Sequence, residues 1–269
     1  LGALGMYLAN MYQEAVELAK KVDVEGTAGV TLLHTAALCQ LQLGDTAAAI
    51  EITQTQLAAA VALDNSALHS QAQAGLTCYR SSAGLIGVED ALVEVESART
   101  LANTSGHPSS KALAALSVGW VQIDERPDTA LEQFLYALSL VHPGSVLANI
   151  AVGNIAVAAA AAGEVKRMSS LIQKYSGGWR TLGSQGLTDS LAWVCARTAL
   201  EAGDTESSGL LLGYYMSLPR SSAHHREARA RTLHTQLIES AGDTTELLQR
   251  GAQLTRRELY SRIDRYLRT

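Results

Sequence analysis

The chain has 269 residues, a formal net charge of −5 and 47% hydrophobic residues, of which few are aromatic. Ala and Leu dominate the apolar content and only four prolines occur, which favours an all-helical fold because Ala and Leu stabilise helices. Neither half of the chain is basic enough to predict nucleic-acid binding, which needs a concentrated Lys and Arg face. The longest apolar run, residues 150–163, is also shorter than the roughly 20 residues that a membrane span requires.

A recurring turn sequence defines the organisation of the chain. Gly-Asp-Thr occurs at residues 44–46, 203–205 and 242–244, each time between two Ala- and Leu-rich stretches. Gly ends a helix by adopting a positive φ, and Asp caps the helix that follows. Weaker turns fall near Asn10, Gly87, Arg126 and Gly163, so that successive turns lie 34 to 43 residues apart. This period predicts stacked helical hairpins that stabilise one another.

The predicted helices follow these turns in chain order. The first complete hairpin has helices at residues 31–43 and 46–63, and the next two pair 66–80 with 88–103 and 109–123 with 127–141. The later hairpins pair 145–162 with 164–175, 188–202 with 204–216, and 222–240 with 243–253. Together with the opening stretch, these helices predict one domain over residues 1–269, built from about seven antiparallel helix pairs.

One internal segment departs from the hairpin pattern. Residues 176–187 contain four glycines and no helical period, which predicts a surface loop or a hinge. Trp179 in this segment packs against a helix end or, alternatively, reaches into a groove of the array.

The last segment, residues 254–268, predicts an amphipathic helix. Thr255 and Glu258 have the spacing of a capping box. The apolar stripe of this helix consists of Leu259, Ile263, Tyr266 and Leu267. A repeat array needs a terminal helix with one polar face, so we expect this segment to cap the array; the alternative is a docking helix for another chain.

The hairpin around the first Gly-Asp-Thr resembles the tetratricopeptide repeat family. Ala37 stands at the small-residue position of the first helix, Gly44 and Asp45 form the turn, and Ala49 and Ile50 stand at the helix contact of the second. The resemblance implies a right-handed superhelix whose first helices line a concave groove that binds a protein or peptide segment. The mean step near 39 residues is also similar to the repeat arrays that act as sensors in large bacterial regulatory ATPases.

Polar side chains on the predicted first helices are the candidate partner-binding residues of the groove. They are His34, Gln40, Gln71, Gln73, Arg80, Gln122, Asn149, Asn154 and Arg197. Asn154 lies nine residues before Gly163, the spacing at which the family's carboxylate clamp carries an asparagine. The preceding first helix offers only Lys111 for the basic side chains of that clamp. Some of these residues are expected to serve the core or the convex face instead.

The sequence carries no motif for catalysis, a cofactor or a metal. Cys39, Cys78 and Cys195 lie on predicted first helices and are expected to fill buried positions. His224 and His225 diverge by about 100° on a helix, so they do not converge on one metal ion. No phosphate-binding loop and no nucleophile elbow occur. We therefore expect no catalytic residue, no cofactor and no metal.

These patterns favour an interaction domain over an enzyme. The leading hypothesis is a noncatalytic, cytoplasmic scaffold that binds a protein or peptide segment, or a further domain of a longer chain, without nucleic acid or membrane insertion. The alternative is a ligand- or partner-sensing module of a larger signalling ATPase or transcription regulator. Residues 1–142 carry 6 basic and 15 acidic side chains, whereas residues 143–269 carry 15 and 11, so the two halves could recruit different partners. Because Leu1 is not an initiator methionine, we expect the chain to be a fragment.

Overall fold

The structure, a computed structural model, describes residues 6–7, 11–21, 26–143, 145–164, 170, 185–218 and 223–267. These residues form thirteen α-helices and no strand, which confirms the all-helical prediction for the described part of the chain. The helices are α1 (Tyr12–Lys21), α2 (Gly26–Leu43), α3 (Thr46–Ala62), α4 (Ser66–Ser82), α5 (Val88–Ser105), α6 (Pro108–Gln122), α7 (Pro127–Ser139), α8 (Val146–Ala161), α9 (Gln185–Glu201), α10 (Thr205–Ser217), α11 (Ala223–Ala241), α12 (Thr245–Ala252) and α13 (Arg256–Leu267). Within the described ranges, no helix combines the length and the apolarity needed to cross a membrane.

The predicted helices agree with α2 to α13 except where residues are not described. The largest difference is at the start of α2, which begins at Gly26 rather than residue 31. The helix predicted over residues 164–175 lies outside the described residues apart from Glu164 and Ser170. Most of the loop or hinge predicted over residues 176–187, including Trp179, also lies outside the described residues. Its last three residues, 185–187, are described and belong to α9.

The first two Gly-Asp-Thr turns share one local structure. Gly44 has a left-handed φ of +87°, which a residue with a side chain rarely adopts. Asp45 then caps α3 by accepting a hydrogen bond of 2.9 Å from Ala48 N. Asp204 caps α10 in the same way, at 2.9 Å from Ser207 N. The third turn differs, because Thr244 rather than Asp243 is the N-cap of α12. The predicted cap is therefore confirmed for two of the three copies.

The helices pack in the order of the chain. Each helix from α1 to α10 packs against the helix that follows it. Alternate helices also pack against each other along one side, α2 on α4, α4 on α6, and α6 on α8. A helical repeat produces both kinds of contact, those between consecutive helices and those between equivalent helices of adjacent hairpins.

The C-terminal helices add contacts that a plain succession of hairpins lacks. Helix α12 packs on α10, and α13 packs on both α9 and α10. Helix α11 contacts α4, which lies much earlier in the chain. The described parts of the two halves are thereby in direct contact.

The stripe predicted for the last helix is buried. Leu259 and Ile263 are both 0% exposed. The predicted capping box is also present, since Thr255 N and Oγ1 donate to Glu258 Oε2 at 2.9 and 2.6 Å. Helix α13 therefore covers apolar surface of α9 and α10 within the chain itself.

The three cysteines are free and buried, as the repeat pattern predicted. Burial raises the pKa of the Cys39 thiol to about 12. Cys195 lies on α9 and its Sγ is 3.9 Å from the Ile263 carbonyl oxygen of α13. Burial also raises the pKa of Cys195. These thiols serve as small packing groups between helices.

Asp204 links the second Gly-Asp-Thr turn to α13. Its Oδ2 accepts a hydrogen bond of 2.5 Å from Tyr266 Oη and lies 3.9 Å from Arg265 Nη1. Burial raises the pKa of Asp204, but the hydrogen bonds from Tyr266 and Ser207 and the charge of Arg265 outweigh it, so the pKa lies below its ordinary value. The ionised carboxylate is therefore the form that holds α13 to the turn.

We expect Asp204→Asn to lower the free energy of unfolding by about 1 kcal/mol near pH 7, a modest value because the carboxylate is partly exposed. A carboxyl whose folded pKa is depressed stabilises the fold above its unfolded pKa of about 3.9, and that stability is lost as pH falls through the folded pKa. The deficit of the variant should therefore shrink below about pH 4 in urea denaturation. Asp45→Asn is the matched control and should change little, because Asn and Asp cap helices equally well. An Asp204→Asn deficit that is independent of pH would contradict this account.

Candidate functional site

The first helices of successive hairpins form the wall of a partly enclosed cavity of about 200 Å³. Helices α2, α4, α6 and α8 supply most of this wall. The lining residues are Tyr7, His34, Leu38, Leu41, Gln42, Gly75, Cys78, Tyr79, Leu113, Leu116, Ser117, Trp120, Ile123, Leu147, Asn149, Ile150, Gly153, Asn154, Val157, Ser190, Tyr215 and Arg229. Residues from both ends of the described chain thus meet at one place.

The wall of the cavity is mainly apolar. Leucine, isoleucine and valine side chains of α2, α6 and α8 cover much of it. Four aromatic rings join them, from Tyr7, Tyr79, Trp120 and Tyr215. Small-molecule sites in proteins have this character, an apolar and aromatic wall with a few polar groups that orient the ligand.

Four titratable groups of the wall, those of His34, Tyr7, Tyr79 and Cys78, are held in their neutral forms. Burial lowers the pKa of His34 to about 4 and raises that of Tyr7 to about 12, with a smaller contribution from Cys39 to the latter. Burial also raises the pKa of Tyr79, and it raises that of Cys78 to about 11 although a hydrogen bond to Ser117 opposes the change. At neutral pH these groups add polarity to the cavity without adding charge.

Arg229 brings a formal positive charge to the cavity from α11. Its Nη2 and Nε lie 2.7 and 2.8 Å from Oδ1 of Asp124, which follows α6. The Arg229 side chain is only 18% exposed, and that of Asp124 is 34% exposed. The ion pair joins residues 105 positions apart and crosses from the first half of the described chain to the second.

Two asparagines of α8 supply amides to the wall. Asn149 is 8% exposed. The side-chain nitrogen of Asn154 is buried and has no hydrogen-bond partner among the residues that the structure describes. A buried amide donor without a partner costs about 1–3 kcal/mol, which a rearrangement or a ligand that supplies an acceptor would recover. The polar part of the α8 wall is therefore not fully satisfied within the described chain.

Three of the predicted groove residues, His34, Asn149 and Asn154, line this cavity. All three lie on first helices, α2 and α8, as the hairpin pattern predicted. The structure brings them into one wall although His34 lies more than a hundred residues before the two asparagines in sequence. A binding role for these three stays a prediction.

Gln73 and Arg80 face the second helix of their own hairpin instead of the cavity. Arg80 Nη1 forms an ion pair of 2.9 Å with Glu94 Oε1 of α5. Gln73 Nε2 donates to the Glu94 carbonyl oxygen at 3.4 Å, and Thr77 donates to the Glu94 carboxylate at 3.0 Å. These side chains fix α5 on α4.

The other predicted groove residues also lie outside the cavity wall. Gln71 Nε2 donates to Ser110 Oγ at 3.2 Å and so joins α4 to α6. Arg197 pairs with Glu201 on α9 at 2.9 Å. Gln122 is 8% exposed, and within the described part of the chain its side-chain oxygen has no hydrogen-bond partner. Gln40 lies on α2 but does not line the cavity.

The polar residues predicted from the sequence do not include the aromatic and cationic residues of the site. Tyr79 and Trp120 lie on predicted first helices, and a count of aromatic residues on those helices would have found them. Arg229 gives no such signal, because it is the long-range packing of α11, which contacts α4, α9 and α10, that brings it near the cavity. The cavity thus contains features that hairpin periodicity does not encode.

No model of a known protein family matches this chain, and no curated protein matches its sequence.

The site offers little support for covalent or metal chemistry. Cys78 is a poor nucleophile, because its thiol is largely protonated at neutral pH and its Sγ lies 3.7 Å from the Ser117 carbonyl oxygen. Among the described residues, no group of three His, Cys, Asp or Glu side chains is placed to hold a metal ion. His224 and His225 are outside the side chains that the structure describes. The arrangement can enclose an apolar molecule and hydrogen bond its polar group.

Proposed function

We propose that this protein is a noncatalytic sensing module that binds a small, largely apolar ligand in the cavity between its first helices. The observation that supports it is the convergence of four first helices, α2, α4, α6 and α8, with residues of α9, α10 and α11 on one cavity of about 200 Å³. A ligand there contacts helices of both halves of the chain. Its binding would favour the arrangement in which those halves touch.

The sensing role builds on the alternative expected from the sequence, a repeat module of a larger signalling ATPase or transcription regulator. We further propose that the hairpins form a right-handed superhelix of the tetratricopeptide type and that the protein is cytoplasmic. Packing of α2 on α4, α4 on α6 and α6 on α8 supports the superhelix, because equivalent helices must stack to build one. The three free, buried cysteines are compatible with a reducing compartment.

A protein or peptide segment in the groove is the second candidate. The continuous wall of first helices favours it, since such a wall can follow an extended chain. An extended segment needs an open path of about 3.3 Å per residue. The contact of α11 with α4 and the pair of Arg229 with Asp124 cross the groove, which leaves a cavity in place of an open path. For this reason we place the small ligand first.

Filling the cavity tests the proposal. Ile150 lines the cavity and is partly exposed, so that a larger side chain at this position has room to project into the empty space. We expect wild-type protein to bind 2-naphthamide, a neutral aromatic probe, and Ile150→Trp to weaken this binding at least about tenfold. Isothermal titration calorimetry measures the affinity, and the rise in melting temperature with the probe provides a second reading.

Ile238→Trp is the matched control, because Ile238 is 45% exposed and lies outside the cavity wall. This variant should bind the probe like wild type. The proposal fails if wild-type protein does not bind the probe, or if both variants bind it equally. Retention of the helical circular dichroism signal in Ile150→Trp separates a filled cavity from a misfolded chain.

A further inference from the structure

We propose that the cavity selects apolar ligands that carry one carboxylate, and that Arg229 is the residue that binds the carboxylate. This inference rests on the proposed function and adds the charge of the ligand to it. Two observations support it, the distribution of charge in the cavity wall and the geometry of Arg229. The position of Asp124 provides the means to test it.

The cavity wall has an unbalanced charge. Of the lining residues in the described part of the chain, Arg229 alone has a side chain that is formally charged at neutral pH, once His34 is neutral. No carboxylate lines the cavity within the described residues. A cationic ligand would therefore meet no acid in the wall, whereas an anionic ligand meets a guanidinium. Charges in an apolar surrounding interact more strongly than in water, so this asymmetry favours an anion.

The geometry of Arg229 suits a carboxylate. Its two contacts with Asp124 use Nε and Nη2 and reach a single oxygen, Oδ1, so that Nη1 takes part in neither. A guanidinium has five N–H donors in a planar fork and binds carboxylates through two of them at once. The ion pair also holds the mostly buried arginine in place before a ligand arrives, which reduces the ordering cost of binding.

Asp124 sets the strength of the site. Its Oδ1 lies 2.7 Å from Nη2 of Arg229, which lines the cavity, so its carboxylate is close to an anion bound by that guanidinium. A ligand carboxylate must share Arg229 with Asp124 or replace it. Asp124 therefore opposes anion binding even though it positions Arg229.

The test compares two probes of the same shape, 2-naphthoate and 2-naphthamide, which differ in charge. Calorimetry of the full chain gives both affinities for wild type, Arg229→Gln and Asp124→Asn. Wild type should bind 2-naphthoate about tenfold more tightly than 2-naphthamide. Arg229→Gln should abolish this preference, because it weakens binding of 2-naphthoate about tenfold more than binding of 2-naphthamide. Asp124→Asn should increase the preference, because it frees the guanidinium.

The two variants remove the same ion pair, so a purely structural effect of losing it would change both in the same direction. Opposite changes in the affinity for 2-naphthoate can come only from the charge that each variant leaves behind. The inference is overturned if wild type binds both probes equally, or if the preference survives in Arg229→Gln. In those cases 2-naphthamide still binds and is still blocked by Ile150→Trp, so the proposed function stands. If neither probe binds wild type, both proposals fail.

Discussion

Gly213→Ala is expected to lower the free energy of unfolding by about 3 kcal/mol, the upper part of the range for overpacked cores. Gly213 lies on α10 where α12 crosses it, and an added Cβ would overlap the Leu248 carbonyl oxygen and lie 2.8 Å from Leu248 Cα. Both atoms belong to the backbone, so no side-chain rotation relieves the overlap. The helices must separate, and the packing between them is lost.

Helix α12 contributes a glycine of its own to this close contact with α10. A Cβ on Gly251 of α12 would overlap the carbonyl oxygen of Leu210 and lie 3.0 Å from Gly213 Cα. Gly251→Ala should therefore destabilise the protein by a similar amount. The two glycines permit a contact between helix backbones that any larger residue prevents.

Gly75→Ala is the matched control for this prediction. Its added Cβ would meet Thr53 and Tyr79 at 3.8 Å, an ordinary van der Waals distance. Since Ala is favoured over Gly inside a helix by up to about 1 kcal/mol, this variant should be neutral or more stable. Urea denaturation followed by circular dichroism measures all three variants. If Gly213→Ala and Gly75→Ala proved equally stable, α10 and α12 would not cross as closely as described.

The local features of the fold could be predicted because neighbouring residues determine them. Gly44 and Asp45 specify a turn through a positive φ and a side-chain cap, and both signals lie within a few residues. The capping box of Thr255 and Glu258 is equally local. Helix boundaries therefore followed from the sequence to within a few residues wherever the structure describes them.

The face that each first helix turns to the cavity could not be predicted as well. Helix α8 is apolar almost all around, and most of its residues are buried, so no polar side marks its orientation. On α4, Arg80 and Gln73 are polar yet bind Glu94 of α5. A polar side chain on a first helix can satisfy its own hairpin or face a ligand, and the sequence contains both kinds without distinguishing them.

The contact between the two halves of the chain could not be predicted from the sequence either. Arg229 and Asp124 are paired across 105 positions, and nothing in the spacing of either residue indicates the other. Their meeting depends on the cumulative placement of α6 to α11, where small differences in each hairpin add up. The charge of the cavity, on which ligand choice depends, is thus a property of the whole array.

The second large effect is expected at Phe134, the single phenylalanine of the chain. It lies on α7 and is 0% exposed. Removing a fully buried phenylalanine side chain costs about 3–5 kcal/mol, because apolar contacts are lost and a void remains. We expect Phe134→Ala to lower the free energy of unfolding by that amount in urea denaturation. Val93→Ala, at a residue of α5 that is 72% exposed, should change it by less than about 0.5 kcal/mol.

The Phe134 ring packs against Gly119 of α6, so the contact that this prediction depends on can be tested directly. A Cβ on Gly119 of α6 would overlap the ring, with Phe134 Cδ1 at 2.8 Å, so Gly119→Ala alone should also destabilise the protein. In a Phe134→Leu background the smaller side chain leaves room for that Cβ. Gly119→Ala should then lower the free energy of unfolding by less than it does in wild type, with a difference of about 1 kcal/mol or more, because residues in contact are energetically coupled. Strict additivity of the two free-energy changes would contradict the contact.

Because Trp120 of the cavity wall follows Gly119 directly, the same double-mutant cycle can be measured by 2-naphthamide affinity. It would show whether the core between α6 and α7 positions the ligand site.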